Sequence, residues 1–426
     1  MSRSTLKNPR IALVYDHVTT AFGGAEVVLD QLHQLYPSAP LFTTVADVQR
    51  APWARGWKIH TTFLQKLPSF LARRHQWHAL IAPIAIESLD VSTFDIIISV
   101  TAGAAKGIIT RPDQLHICYL LTPTRYLYDD AVFVSHSWLR LPVVRWLATQ
   151  CFRYLRWWDM AAAHRPDRLI VISKLVGRRT EQTYGCKPDL VLYPPFRPDP
   201  PDTNQSLTTQ NSQPAQNSRS TPASQGTKQD QFPEETQPFD LIISRLVWYK
   251  RVELAVATAL SAQTRLVIVG DGALFHTLVA QADSKGLSKH STETVRSFIA
   301  RAQKTDAIIL FCGSVSDEET ALLKQNCRSL LMLGIEDFGM TALEALAHGK
   351  PVVIDQSSGV AELLQDQKHG FLLQNPDEAS LHQAFTALQT HHFSPALLKR
   401  TALRYSDSVF RQSFASTVQR MWQEKE

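Results

Sequence analysis

Two doubly wound α/β domains joined by a low-complexity linker are the architecture this sequence predicts, and three observations carry it. Short apolar runs rich in β-branched residues alternate with longer segments of helical periodicity. The alternation breaks once, over residues 197–239, and then resumes in the same form. Continuous apolar runs of this kind mark parallel strands that are buried on both faces by helices. At 426 residues the chain also exceeds what one hydrophobic core serves.

In the first domain, 1–196, the run "RIALVYD" (10–16) leads into a helix, "GGAEVVLDQLHQLYP". Further strands are expected at "LFTTVAD" (41–47), "DIIISVT" (95–101), "LHICYLL" (115–121), "RLIVISK" (168–174) and "LVLYPP" (190–195). Residues 197–239 are rich in Pro, Gln, Ser, Thr and Asn and nearly free of aliphatics. Such a segment buries too little apolar surface to offset its ordering entropy, so it is expected to be disordered. The second domain, 240–407, has strand runs at "LIISRLV" (241–247), "RLVIVGDG" (265–272), "AIILFCGS" (307–314), "SLLMLG" (329–334), "PVVID" (351–355) and "GFLL" (370–373). A closing helix over 408–426 has apolar residues at helical spacing that suit packing on either domain. In doubly wound sheets ligands bind at the C-terminal ends of the strands, so a cleft between two such domains is the expected site.

Hydrophobic content of 44% and charge of 19% describe a globular protein. The five cysteines show no C-x-x-C spacing, which suits reduced thiols in a cytoplasmic protein and not a disulfide framework or zinc site. The N-terminus lacks the apolar core of a signal peptide, and no run of 18 apolar residues predicts a spanning helix. Residues 1–196 hold 22 Lys+Arg against 14 Asp+Glu, whereas 197–426 hold 22 against 25. Either an anionic partner or an ordinary basic surface accounts for that split.

Three stretches carry chemistry. In "SRLVWYKR" (244–251) Arg245 and Lys250 follow a strand, and a helix starting near Trp248 to Lys250 would aim both cations into the cleft. Helix N-termini disfavour cations, so the pair makes sense if it shares an anionic ligand; two solvated cations are the simpler alternative. Gly270 in "VGDG" and Gly23 and Gly24 in "AFGGAE" end or follow strands, where their N–H groups can meet phosphate or simply form tight turns. Neither stretch completes G-x-G-x-x-G, which argues against a dinucleotide-dependent oxidoreductase. In "GIEDFGMTALEALAHGKPVV" (334–353), Glu336 sits at a strand end, Phe338 and Gly339 form a turn, and a helix runs from about Met340 to His348. The N–H groups from Gly339 through Met340 to Thr341 offer a positive helix end, and Glu336 and Glu344 offer acceptors for hydroxyls. Hydroxyls plus phosphate describe a nucleotide sugar. The chain has no D-x-D triplet, and Asp129-Asp130 is only a pair, so metal is the poorer fit.

These pieces, together with "GSVSDEE" (313–319), resemble glycosyltransferase family 4, retaining enzymes of the GT-B fold whose E-x7-E pattern is Glu336 to Glu344 here. "AIESLDVSTFDIIIS", "AAKGIITRPDQLHICY" and "TPTRYLYD" are similar to the bacterial subgroup that transfers mannose in O-antigen and exopolysaccharide assembly. The resemblance implies that Arg245 and Lys250 hold the departing diphosphate, that Glu336 contacts the donor sugar and that Glu344 accepts from the ribose. It places the base near Val315, Gly24 by the diphosphate, and Gly23, Arg125 and Tyr126 on the acceptor side. It further implies a metal-independent enzyme with no cofactor, whose donor is a nucleotide sugar such as GDP-mannose. Its acceptor would be a glycan or lipid-linked, with no nucleic acid partner. The pattern's two histidines are absent: Ala102 and Leu121 stand there, with Thr101 and Thr122 beside them. An altered donor, a compensating neighbour or a catalytically silent protein that binds nucleotide sugar or assists a partner transferase are the alternatives this opens. Finally, residues 138–160 mix Trp138, Trp146, Trp157 and Trp158 with Arg140, Arg145, Arg153 and Arg156. That mixture suits either a helix at an anionic membrane face or aromatics packed in the core.

Overall fold

The computed structural model describes residues 9–20, 22–66, 80–128, 142–196, 232 and 237–425. The chain's first eight residues, Asp129-Asp130, Trp138, Arg140 and almost all of the linker lie outside the described residues, as does the side chain of Arg145. Two compact units emerge, one of Met1–Pro195 with Asp407–Glu426 and one of Phe196–Ser406.

The first unit holds β1 (Ile11–Tyr15), β2 (Leu41–Thr43), β3 (Ile59–Thr61), β4 (Ile96–Thr101), β5 (Leu115–Leu120), β6 (Arg168–Val171) and β7 (Leu190–Val191). All pairings are parallel, in the order β3-β2-β1-β4-β5-β6-β7. Its helices are α1 (Gly24–Leu35), α2 (Ala82–Glu87), α3 (Arg125–Tyr128), α4 (Pro142–Ala163) and α5 (Lys174–Tyr184). Strands β4 and β5 are buried at every position, as continuous apolar runs require when helices cover both faces.

The second unit holds β8 (Asp240–Ile243), β9 (Leu266–Val269), β10 (Gly286–Ser288), β11 (Ile309–Gly313), β12 (Ser329–Met332), β13 (Val352–Asp355) and β14 (Gly370–Leu373). These too are parallel, ordered β10-β11-β9-β8-β12-β13-β14. Helices α6 (Val252–Ser261), α7 (Phe275–Ala282), α8 (Val295–Ala302), α9 (Asp317–Asn326), α10 (Met340–Ala347), α11 (Glu378–Thr390) and α12 (Pro395–Leu403) complete it. The strand order reverses between β1 and β4 in one sheet and between β8 and β12 in the other, the two places where such sheets open for ligands. At the start of β8 the buried Asp240 carboxylate accepts from Arg328 Nε at 3.0 Å and Ser329 Oγ at 2.7 Å, tying β8 to β12. The last helix, α13 (Asp407–Lys425), packs on the first unit, with Phe410 and Phe414 edge-on to Tyr119.

Two strands lie outside the runs read from sequence. Strand β3 ("IHT") and β10 ("GLS") are three-residue edge strands that are only partly buried, so neither is a continuous apolar run.

One buried group makes the first unit acid-sensitive. The His116 ring is fully buried in β5, with Nε2 2.8 Å from Ser99 Oγ, and its backbone N–H donates to Asp167. Burial drives its pKa down from 6.5 to about 4; Asp167 opposes the shift, while Lys425 and Arg165 add to it. Below pH 6.5 the unfolded chain therefore binds a proton that the native state refuses until about pH 4. Stability is full above pH 6.5 and falls between there and pH 4, by up to about 3 kcal/mol. Urea midpoints measured from pH 7 to pH 5 should fall in the wild type and fall less in His116→Gln.

Candidate functional site

In the second unit Arg245, Lys250 and Glu336 gather at the C-terminal ends of β8 and β12. After β8 the chain runs through Ser244 and the exposed Arg245, then turns once in a 3-10 turn, Trp248–Lys250. The regular helix starts only at Val252, later than the sequence suggests, because Arg251 adopts a left-handed conformation at φ 56° and interrupts it. That single turn brings three side chains into line. Arg245 Nη2 donates to Tyr249 Oη at 2.7 Å, and Lys250 Nζ is 5.4 Å from the centre of the Tyr249 ring and forms an ion pair with Glu336.

Glu336 comes from the segment after β12, and two glycines shape it. A Cβ on Gly334 would stand 2.2 Å from the Tyr249 carbonyl oxygen and 2.8 Å from Lys250 Cα. Only glycine lets the two strand ends approach this closely, and the approach seats Glu336 beside Lys250. Gly339 has φ 103° at the N-terminus of α10, with Met340 and Thr341 as the first two helical residues. Between them, Glu336 N–H donates to Ser358 Oγ at 3.1 Å, Gly359 N–H to the Glu336 carbonyl, and Val360 N–H to the carbonyl of the buried Phe338.

Glu344, in the middle of α10, is not the fully solvated residue expected of a lone carboxylate in a helix. It is half-buried and accepts from Lys324 Nζ of α9 at 3.1 Å. Val315 immediately precedes the N-cap of α9, where Ser316 and Glu319 form a capping box and Glu319 also accepts from Val295 N–H at 2.7 Å. Gly270 N–H is used within the unit, donating to the Gly313 carbonyl at 2.9 Å.

The first unit places Gly23 as N-cap of α1, ahead of Gly24. The buried Glu26 carboxylate in that first turn accepts from Tyr15 Oη at 2.8 Å and Thr20 Oγ1 at 2.9 Å. At the end of β1, Asp16 gathers the loop after β4: Thr101 Oγ1 at 2.8 Å, Ala102 N–H at 3.0 Å and Ala105 N–H at 2.8 Å. Ala102, where the resemblance leads to an expected histidine, thus contributes its backbone. The Thr101 hydroxyl is engaged by Asp16, and Thr122 is buried. Sequence reading missed Asp16, since an aspartate after a strand is an unremarkable loop residue.

Beneath this loop lies a buried polar cluster. Lys106 Nζ donates to Asp159 at 2.5 Å, Gly103 O at 2.6 Å and Thr124 Oγ1 at 3.1 Å; Tyr184 Oη donates to Asp159 at 2.8 Å. Burial opposes the Lys106 charge, but the Asp159 carboxylate outweighs it and holds the ammonium above its ordinary range. Next to Thr124, the half-buried Arg125 and Tyr126 begin α3, and burial raises the Tyr126 phenol.

In helix α4 the described aromatics divide between the core and the surface. Trp158 is buried and donates to Glu87 Oε1 at 2.7 Å, whereas Trp146 and Trp157 are 62% and 68% exposed. Gln150 and Arg153 lie between them on one exposed face, with Tyr154 and Arg156 exposed at its flank. Asp159 is buried, so the described exposed charges of α4 are cationic.

Residues 224–396, essentially the second unit, match the family model of glycosyl transferases group 1. The O-antigen chain mannosyltransferase C of Escherichia coli is 25% identical over 154 residues, 35% of this chain and 36% of that protein. A putative glycosyltransferase, EpsD, of Bacillus subtilis strain 168 is 27% identical over 159 residues, 37% of this chain and 35% of that protein. The chain thus spans about a third of the length of the curated relatives it matches. Solved structures align over nearly the whole chain. The lipopolysaccharide outer core galactosyltransferase WaaB, in its apo form, has TM-score 0.58 at 18% identity, covering 96% of this chain and 99% of that one. Anabaena HepE with UDP and glucose has TM-score 0.59 at 17%, covering 97% and 100%. The fold is GT-B, two α/β units with parallel sheets. The second unit is thus similar to glycosyl transferases group 1, and the whole chain shares its fold with these solved structures.

Two stability predictions follow from the charged groups. Lys106→Met leaves Asp159 buried without its cation and should cost about 3–5 kcal/mol in urea unfolding. Arg111→Ala, which removes an exposed pair with Asp113, should leave the urea midpoint nearly unchanged in the same assay.

Proposed function

We propose that this chain is a retaining, metal-independent hexosyltransferase. It moves a hexose, mannose in the first instance, from a nucleotide sugar such as GDP-mannose to a glycan or lipid-linked acceptor in bacterial polysaccharide or lipopolysaccharide assembly. The observation that carries this reading is the line Arg245–Tyr249–Lys250–Glu336 across the ends of β8 and β12. Arg245 and Lys250 supply fixed positive charge for a diphosphate, and Glu336 beside them accepts from sugar hydroxyls. The α10 N-terminus (Gly339, Met340, Thr341) adds backbone N–H groups, with Gly270 and Val315 nearby in the fold's ligand-facing loops. In the reaction the bond from the anomeric carbon to the diphosphate oxygen breaks and a bond from that carbon to the acceptor oxygen forms. The diphosphate leaves with the electron pair, and the acceptor hydroxyl passes its proton to an oxygen of the departing diphosphate. Stabilising the leaving diphosphate with preorganised cations is the main catalytic contribution.

Gly23, Gly24, Arg125 and Tyr126 of the first unit serve the diphosphate and acceptor side in this reading. The names of the relatives support sugar transfer in surface-polysaccharide assembly, and the HepE complex supports a nucleotide diphosphate as the ligand class. A second reading, a silent GT-B protein that binds nucleotide sugar without turnover, draws on Ala102 and on the engagement of Thr101 with Asp16.

A thermal-shift panel of GDP-mannose, UDP-glucose, GDP and UDP, followed by product analysis with an acceptor extract, tests the proposal. One donor should raise the melting temperature, as ligands that bind only the native state do. Arg245→Ala should weaken that donor by about 10- to 100-fold, corresponding to loss of a charge-assisted contact worth about 1.5–3 kcal/mol. Transfer should persist in EDTA, and the product should keep the donor's anomeric configuration. Binding without any transfer selects the silent reading; no shift with any donor, or an unchanged Arg245→Ala variant, rejects the site.

We place the protein at the cytoplasmic face of the membrane, held peripherally through the Trp146–Arg153–Trp157 face of α4. Among the described residues no helix is long and apolar enough to cross a membrane. Sedimentation with vesicles containing phosphatidylglycerol, and not with pure phosphatidylcholine, is expected, and the double variant Trp146→Ala, Trp157→Ala should lose it. Equal sedimentation of variant and wild type would remove this face from the assignment.

A further inference from the structure

Lys324 is among the most deeply buried charged side chains of the second unit, only 3% exposed, at the end of α9. Its position in the last turn suits a cation, and its Nζ donates to Glu344 Oε2 at 3.1 Å. Leu323 and Cys327 on its own side, and Leu343, Ala345 and Leu346 on either side of Glu344 in the chain, are buried. Such an ion pair is poor evidence for stability, because hydrophobic residues of similar volume commonly do as well. The partners are also unequal. Glu344 is 21% exposed and keeps contact with solvent, so folding alone does not need a buried ammonium to satisfy it.

We infer that Lys324 is a positioning residue for nucleotide recognition, an inference that rests on the reading of Glu344 as the acceptor for the ribose diol. An ionised carboxylate has about four lone-pair directions. Lys324 occupies one on Oε2 from the buried side, which fixes the side-chain torsions and leaves Oε1 to receive ribose hydroxyls. Glu344 is thereby held in one orientation before the ligand arrives, and the entropic cost of ordering it on binding is removed. The contact is made by α9 and α10, the helices that begin just after Val315 and Gly339, so the same two helices carry the base-side loop and the phosphate-side N-terminus.

The test measures dissociation constants for GDP and UDP, and for their 2′-deoxy forms, in wild type, Lys324→Met, Lys324→Arg, Glu344→Ala and Arg245→Ala, with melting temperatures for all. Wild type should prefer the ribonucleotide. Lys324→Met should remain folded, weaken the better-binding diphosphate by about 3- to 10-fold, and shrink the ribo-to-deoxy ratio. Lys324→Arg should restore part of that ratio. Arg245→Ala should weaken both forms alike and leave the ratio unchanged. An undiminished ratio in a folded Lys324→Met protein overturns the inference. A melting temperature that falls in Lys324→Met, with the ratio intact in Lys324→Arg and Lys324→Met alike, assigns a purely structural role and also overturns it. If Glu344→Ala leaves the ratio intact, the ribose assignment itself fails, a result separable from the behaviour of Lys324.

Discussion

The pairing of β8 with β12 is the constraint on which the candidate site depends. Each strand is four residues long, so fixing the register at one end fixes it at the other. Asp240 does the fixing. Its buried carboxylate accepts from Arg328 and Ser329, and Ser329 sits opposite Asp240 in the ladder. A one-residue slip would turn each side chain to the opposite face of the sheet. It would also part Lys250 from Glu336, because the glycine at 334 meets the Tyr249–Lys250 backbone only in this register. A polar triad at the start of two strands thus aligns the charged residues at their ends.

Buried charge in this protein is concentrated where loops must be held. Lys106 and Asp159 lie under the loop that Asp16 gathers after β4, and Tyr184 and Thr124 complete the hydrogen bonding. Lys324 meets Glu344 between two helices that start at loops of the candidate site. Apolar packing would serve stability at least as well in each place. What an ion pair adds is direction, since a carboxylate with a fixed partner has fewer orientations. Surface pairs such as Arg111 with Asp113 lack that function because solvent competes for both partners.

The loop after β4 is organised without a histidine. Alanine at 102 offers only a methyl group, and the backbone N–H donates to Asp16. Thr101 is drawn the same way. The loop is therefore organised around an internal carboxylate, and any chemistry a histidine would supply has to come from elsewhere or be dispensed with.

Much of the architecture was legible from residue order alone. Parallel strands buried on both faces must be continuous apolar runs, and those runs located twelve of the fourteen strands. The other two, β3 and β10, are edge strands whose half-exposed residues carry no such pattern. Arg245, Lys250, Glu336 and Glu344 stood out because charge at strand ends or within an apolar helix departs from periodicity. Tertiary structure alone decided the late start of α6, set by the left-handed Arg251, and the division of α4 into a buried Trp158 and exposed Trp146 and Trp157. It alone joined Asp16 to Ala102 and Lys324 to Glu344. Residue order records periodicity and composition, which govern burial. Which distant polar groups meet depends on register and helix placement, and those are set by contacts between residues 20 to 90 positions apart in the chain.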